Sequence, residues 1–248
     1  MRTVELGIPQ NPLTIEILEQ ISLGQVCPKL APNVRPQVDR ALQFVESIME
    51  SGQTIYGINT GFGRLASERI STEQLTLLQK NLVRSHACGV GEPLPVETVR
   101  ALVALRVNSL LQGHSGIHYE LLQSMLALLE HDVIPYVPSR GSVGASGDLA
   151  PLAHVALVLM GEGEVFYQGR RRFTAEVFSE CGLKPYEFGA KEALATINGT
   201  QLICSVGGLA LARFSRLLSM ADVVAGMSLE ALLGTDSACH EAISAVRP

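Results

Sequence analysis

Apolar positions along the chain recur mostly at helical spacing. Val38, Ala41, Leu42, Val45, Ile48 and Met49 share one helical face, with Pro36 near its start and Gly52 beyond its end. Ser71-Thr72-Glu73-Gln74 reads as a capping box that opens a helix carrying Leu75, Leu78 and Leu82. Val99, Leu102, Val103, Val107, Leu110 and Leu111 form a third face, stopped at Gly113. Leu121, Leu122, Met125, Leu126 and Leu129 form a fourth, stopped before Pro135 and Pro138. Strand signals are few. Thr54-Ile55-Tyr56 is one candidate, and Val165-Phe166-Tyr167, a Gln168-Gly169 turn and Arg171-Arg172-Phe173 read as a small hairpin. From Thr200 to Leu233 the pattern changes: Gly207, Gly208, Ala210, Ala212, Ala221, Ala225 and Gly226 join apolar neighbours and leave almost no polar stripe. A helix that is apolar all round belongs in an interior. This stretch is therefore expected inside a multi-helix bundle.

Composition sharpens that picture. Of 248 residues, 47% are apolar and 17% charged, against a usual charged share of about 25%, so disordered and fibrous classes are excluded. The net charge of −5 with no basic tract argues against a nucleic-acid partner. Mean hydropathy is +0.25, yet the most apolar stretch, Leu149–Met160, contains Pro151 and His154 and is too short to span a bilayer. No membrane partner is expected, and the apolar surface should be buried against the chain itself or copies of it. Five cysteines, an odd count without CxxC spacing, point to reduced thiols. Met1–Gly7 has no signal-peptide core, so a cytoplasmic location is expected. His114, His118, His131, His154 and His240 share no metal-ligand spacing, and no metal site is expected.

The most unusual segment is Arg140-Gly141-Ser142-Val143-Gly144-Ala145-Ser146-Gly147-Asp148, which leads into a helix starting near Leu149 with Pro151 in its first turn. It reads first as a glycine-rich turn. It reads poorly as a phosphate cradle, because the spacing is not GxGxxG, no Gly-Lys-Ser/Thr follows, and Asp148 would repel an anion. GASG is not the GxSxG of a nucleophile elbow. A third reading is autocatalytic ring closure. The amide nitrogen of Gly147 attacks the carbonyl carbon of Ala145, Gly147 having no Cβ to obstruct the approach, and the Ser146 hydroxyl leaves. Two waters are lost, and the product is a methylidene-imidazolone, an electrophile that no ordinary side chain provides.

Gly141 through Ala156, GSVGASGDLAPLAHVA, resembles the signature of the aromatic amino-acid ammonia-lyases. Tyr56-Gly57-Ile58-Asn59-Thr60-Gly61-Phe62-Gly63 is similar to that family's tyrosine loop. Asn81-Leu82-Val83-Arg84-Ser85-His86-Ala87-Cys88-Gly89-Val90-Gly91 resembles the histidine-specific form of its substrate-selecting segment. Asn108–Gly116 and Ile197-Asn198-Gly199-Thr200-Gln201 also look like the family. The resemblance covers essentially the whole chain but about half of a full-length member.

The resemblance implies a mainly α fold: an N-terminal α-rich domain with a few short strands over 1–195, then the first helices of a truncated central bundle over 196–248. It implies elimination of ammonia from L-histidine to give trans-urocanate, with the electrophile built from Ala145, Ser146 and Gly147 and no metal or nucleotide. Tyr56 would be the general base, which requires help, since an unperturbed tyrosine titrates near pH 10. Gly61 and Gly63 would be consistent with a mobile loop over the site; the alternative is two ordinary turn glycines. His86 would contact the substrate imidazole, and Asn198 would hydrogen-bond near the ring, although Asn-Gly is also a common interhelical turn. Asp148 would assist dehydration or orient the ring, or simply sit as an acid at a helix start. Family members are homotetramers whose active sites also draw an arginine, a second tyrosine and a glutamate from the C-terminal half, so this chain alone is expected to be inactive, with its ring mostly unformed. A phenylalanine or tyrosine lyase, an aminomutase, or a non-catalytic module on the same scaffold are the alternative readings.

Overall fold

The computed structural model describes residues 2–8, 12–51, 55, 57–58, 60 and 72–246. The chain divides into two compact units, Met1–Leu209 and Ala210–Pro248.

Two helices form the centre of the first unit. In α4 (Val96–Leu110) the buried positions include Val99, Leu102, Val103, Val107 and Leu110, and in α5 (Tyr119–Glu130) they include Leu121, Leu122, Met125, Leu126 and Leu129. These are the faces the apolar spacing predicts. Around them lie α1 (Ile15–Ser22), capped by Thr14 Oγ1, which accepts from Ile17 N–H at 3.3 Å, and α2 (Arg35–Ser51) and α3 (Thr72–His86). Leu75 and Leu82 of α3 are buried. Ser71 of the expected capping box, Gly52, and both ends of Thr54-Ile55-Tyr56 lie outside the described residues.

The strands are short. β1 (Arg2–Leu6) and β2 (Val26–Leu30) pair in parallel across α1, from Arg2↔Val26 to Leu6↔Leu30. β3 (Val90–Pro93) runs antiparallel to β5 (Pro138–Arg140), while β4 (Ile134–Pro135), β6 (Glu164–Tyr167) and β7 (Arg170–Phe173) form a three-stranded antiparallel sheet. The β6–β7 hairpin is the expected one. Gln168 (φ 50°) and Gly169 (φ 72°) both take the positive φ that a two-residue turn of this hand requires. The pairings of β1 with β2 and of β3 with β5 give no alternating signature in the sequence.

α6 (Leu149–Leu159) starts where expected. Ala150, Leu152, Ala153, Val155, Ala156 and Val158 are buried, and it packs against α3 and the six-residue α8 (Glu192–Ile197). α7 (Thr174–Cys181) follows the hairpin and ends at Gly182, whose left-handed φ of 70° closes the helix.

α9 (Gln201–Ala231) is one continuous helix within the apolar Thr200–Leu233 stretch, and α10 (Glu241–Ala245) follows it. Much of α9 departs from the burial expected of an all-apolar helix. Leu211, Phe214, Leu217, Leu218, Met220, Val223, Val224 and Met227 are exposed. The region Glu192–Ala231 is also long and apolar enough, by length and composition, to cross a membrane. The sequence reading missed this because it weighed the most apolar short stretch and not the length of the helix. Arg213, Arg216, Asp222 and Glu230 are distributed along it.

Candidate active site

Three segments of the first unit meet around the glycine-rich loop. Strand pairing brings the first two together. β3 begins four residues after His86, β5 ends at Arg140, and Val90 pairs with Arg140. The loop that leaves β5 then lies on the loop that enters β3: a Cβ on Gly141 would sit 3.1 Å from the Cα of Gly89. From α6, His154 Nε2 accepts the Gly89 N–H at 3.1 Å. An imidazole nitrogen that accepts has no proton, so His154 is neutral with its proton on Nδ1, and burial lowers its pKa in agreement.

The third segment is the α8–α9 connection. The Asp148 N–H donates to the Gly199 carbonyl at 2.6 Å. Asp148 is completely buried. It precedes α6, yet its carboxylate does not cap that helix. Oδ1 accepts from Ser142 Oγ at 2.8 Å, and Oδ2 accepts from Ile203 N–H, at the start of α9, at 3.0 Å. The negative charge thus lies at the positive end of α9. Asp148 ties both ends of the glycine-rich loop to the third segment.

Gly147 has φ 112°, a conformation essentially reserved for glycine, and a Cβ there would lie 2.4 Å from Gly199 O. Its neighbours Ala145 and Ser146 are exposed. The three residues therefore fit a group built from the chain itself: the third lacks a side chain where the backbone must pass closely, and the Ser146 hydroxyl is accessible.

His86 ends α3. Its Nδ1 lies 2.8 Å from Leu82 O and 3.1 Å from Ser85 Oγ. A carbonyl can only accept, so the Nδ1 carries a proton and the neutral tautomer this contact selects has its acceptor at Nε2. Asn198 ends α8 in an extended conformation (φ −90°, ψ 93°) and is exposed. The structure thus brings Ala145, Ser146, Gly147, Asp148 and Asn198 into one neighbourhood, with the segment following His86 packed alongside. Tyr56, Gly61 and Gly63 lie outside the described residues.

The sequence reading did not single out Ser142, His154, Arg106 or Glu192 as parts of this framework. Arg106 and Glu192 are buried. The signal for Arg106 was available: a single charge between Leu105 and Val107 in an apolar face. Glu192 Oε1 accepts from the His118 N–H at 2.8 Å, from His118 Nδ1 at 3.0 Å and from Tyr186 OH at 2.9 Å; its Oε2 accepts from Gly189 N–H at 2.6 Å. The hydrogen bond to Glu192 raises the His118 pKa, and burial beside the same carboxylate raises that of Tyr186.

Residues 13–248 match the family described as aromatic amino acid lyase. The chain is 48% identical over 228 residues to the histidine ammonia-lyase of Myxococcus xanthus, an alignment covering 92% of this chain and 45% of that one. The crystal structure of histidine ammonia-lyase from Trypanosoma cruzi superposes with a TM-score of 0.91 at 39% identity, over 100% of this chain and 48% of that one. The phenylalanine aminomutase of Pantoea agglomerans also gives 0.91, at 29% identity, over 100% and 47%. The chain belongs to the aromatic amino acid lyase family. It spans about half the length of the relatives it matches.

Proposed function

We propose that this chain is the N-terminal half of a histidine ammonia-lyase, which eliminates ammonia from L-histidine to give trans-urocanate, and that it is inactive alone. The observation that carries this is the convergence of the Ala145-Ser146-Gly147 bend, the buried Asp148 and the Asn198-Gly199 turn beside the segment that follows His86. Residues 1–195 form the domain that bears the ring loop and the tyrosine loop, and 196–248 begin the central helical bundle.

The methylidene-imidazolone formed from Ala145, Ser146 and Gly147 supplies an electrophile for a substrate whose amine is otherwise a poor leaving group. The chain's own residues orient and move protons around it. Tyr56 takes the β-proton. His86, with its Nδ1–H held by Leu82 O, has Nε2 as the remaining acceptor of its neutral tautomer, which suits an imidazole N–H and gives a phenyl ring nothing to bond. Asn198, exposed beside the Gly199 carbonyl that receives the Asp148 N–H, hydrogen-bonds near the ring, and Asp148 fixes the loop by bonding Ser142 and Ile203.

L-histidine is the substrate, and the working assembly is a cytoplasmic homotetramer with neither nucleic acid nor membrane as partner. The exposed apolar residues of α9 are then the surface that further chain and neighbouring copies cover.

The test is to express the chain together with the C-terminal half of the M. xanthus relative and compare substrates. Conversion of histidine to urocanate, with phenylalanine and tyrosine poor, is expected. Preference for the aromatic substrates overturns the assignment of His86, and a β-amino acid product identifies an aminomutase. The chain alone is expected to show negligible urocanate formation and an intact mass with Ser146 uncyclised. Loss of two waters would contradict the second expectation.

A further inference from the structure

Arg106 is buried on α4 with 4% of its surface exposed, and no carboxylate lies within ion-pair distance among the described residues. A guanidinium removed from water is costly unless its donors are satisfied. Nη1 donates to Gln201 Oε1 at 2.8 Å, and Nη2 donates to Asn198 O at 3.0 Å and to Ala195 O. Nε has no hydrogen-bond partner among the described residues. Burial lowers the pKa to about 10. The acceptors are the last carbonyls of α8 and a side chain at the start of α9.

Those carbonyls explain the arrangement. α8 has six residues, too few to hold itself helical, and its terminal carbonyls have no intrahelical donors. The guanidinium supplies donors at the negative end of the helix. It also occupies the space beside Gly199, where a Cβ would lie 2.2 Å from Nη1 and 2.1 Å from Gln201 Oε1. The Gly199 carbonyl is in turn the acceptor of the Asp148 N–H and the atom nearest a hypothetical Cβ on Gly147. A continuous chain of contacts runs from Arg106 through the Asn198-Gly199 turn to the bend at Gly147.

We propose that Arg106 is the positioning residue of this site: it holds the Asn198-Gly199 turn so that the Gly199 carbonyl receives Asp148 N–H and sets the bend at Gly147. The catalytic meaning rests on the reading of Ala145–Gly147 as the ring-forming triplet; the contact does not. The role requires a fork of donors more than a charge, so lysine should substitute incompletely.

The test is residue-resolved hydrogen exchange of the Asp148 amide in the full chain, read against core amides of α4 and α5 in the same variant. Arg106→Met should speed exchange at Asp148 about tenfold beyond any change in the core, the effect of losing one hydrogen bond. Arg106→Lys should restore part of the protection. Arg100→Met, which removes the ion pair from Arg100 of the same helix to Asp132 beyond α5, should leave Asp148 unchanged relative to the core. A folded Arg106→Met chain with Asp148 protected as before, or an equal effect from Arg100→Met, would overturn the proposal. If Arg106→Met does not fold, Gly199→Ala displaces the guanidinium without deleting it, and is judged by the same two outcomes. Intact mass reports separately on the ring: an uncyclised Ser146 in the assembled, full-length protein refutes the ring reading and leaves the Asp148 result standing.

Discussion

α6 and the second half of α9 look alike as sequence and differ in the fold. Both lack a polar stripe. In α6 every position from Ala150 to Ala156 except His154 is buried, whereas from Phe214 to Ala231 the α9 residues are exposed. Apolarity all round a helix therefore states that the helix needs a cover and leaves open where the cover comes from. α6 finds it within the first unit, in α3, α8 and β4. The one polar side chain of α6 that turns inward, His154, is matched by a backbone N–H.

Substitutions can break this comparison. The largest loss is expected at Glu192, the buried carboxylate that gathers His118, Tyr186 and Gly189. Glu192→Ala strands several donors and should cost about 3–5 kcal/mol in urea unfolding. Leu152→Ala in α6, fully buried, should cost about 2–5 kcal/mol by the same measurement. The matching change in α9, Leu217→Ala, should stay within about 0.5 kcal/mol in the isolated chain. If Leu217→Ala proves as costly as Leu152→Ala, α9 is covered in solution by another copy, and light scattering will show the association.

Smaller effects separate His118, whose side chain is 44% exposed, from the more buried His154. His118 has a raised pKa because of Glu192, so its contribution is complete below the ordinary value of 6.5 and fades as pH rises through the raised one. His154 has a lowered pKa because of burial, so its contribution is present above 6.5 and is lost as pH falls toward the lowered value. Urea unfolding from about pH 5 to 8 should show opposite slopes, with His118→Gln removing one and His154→Gln the other. A slope unchanged by either substitution would contradict these assignments.

The helices were legible because burial on one face imposes a period, as in the Val99–Leu111 and Leu121–Leu129 runs. The β6–β7 hairpin was legible because Gln168-Gly169 must turn with positive φ. The parallel β1–β2 pair was not, since its partners are 24 residues apart in register, Arg2 with Val26, and nothing local fixes that pairing. At the site, the glycine-rich loop announced itself through Gly147, where the backbone leaves no room for a Cβ. The groups beneath it did not: Asp148 reads as a helix-start acid, but its bonds go to Ser142 and, 55 residues on, to Ile203. Such partners are set by the way elements pack, and only coordinates reveal them.

In the proposed function Ser146 becomes part of an electrophile acting on histidine. This role is tested most directly by Ser146→Ala in the chain expressed with the complementary half of the M. xanthus relative, following urocanate by absorbance. Removing the source of a covalent catalytic group should lower the rate by about a thousandfold or more. Turnover unchanged by Ser146→Ala would contradict the account.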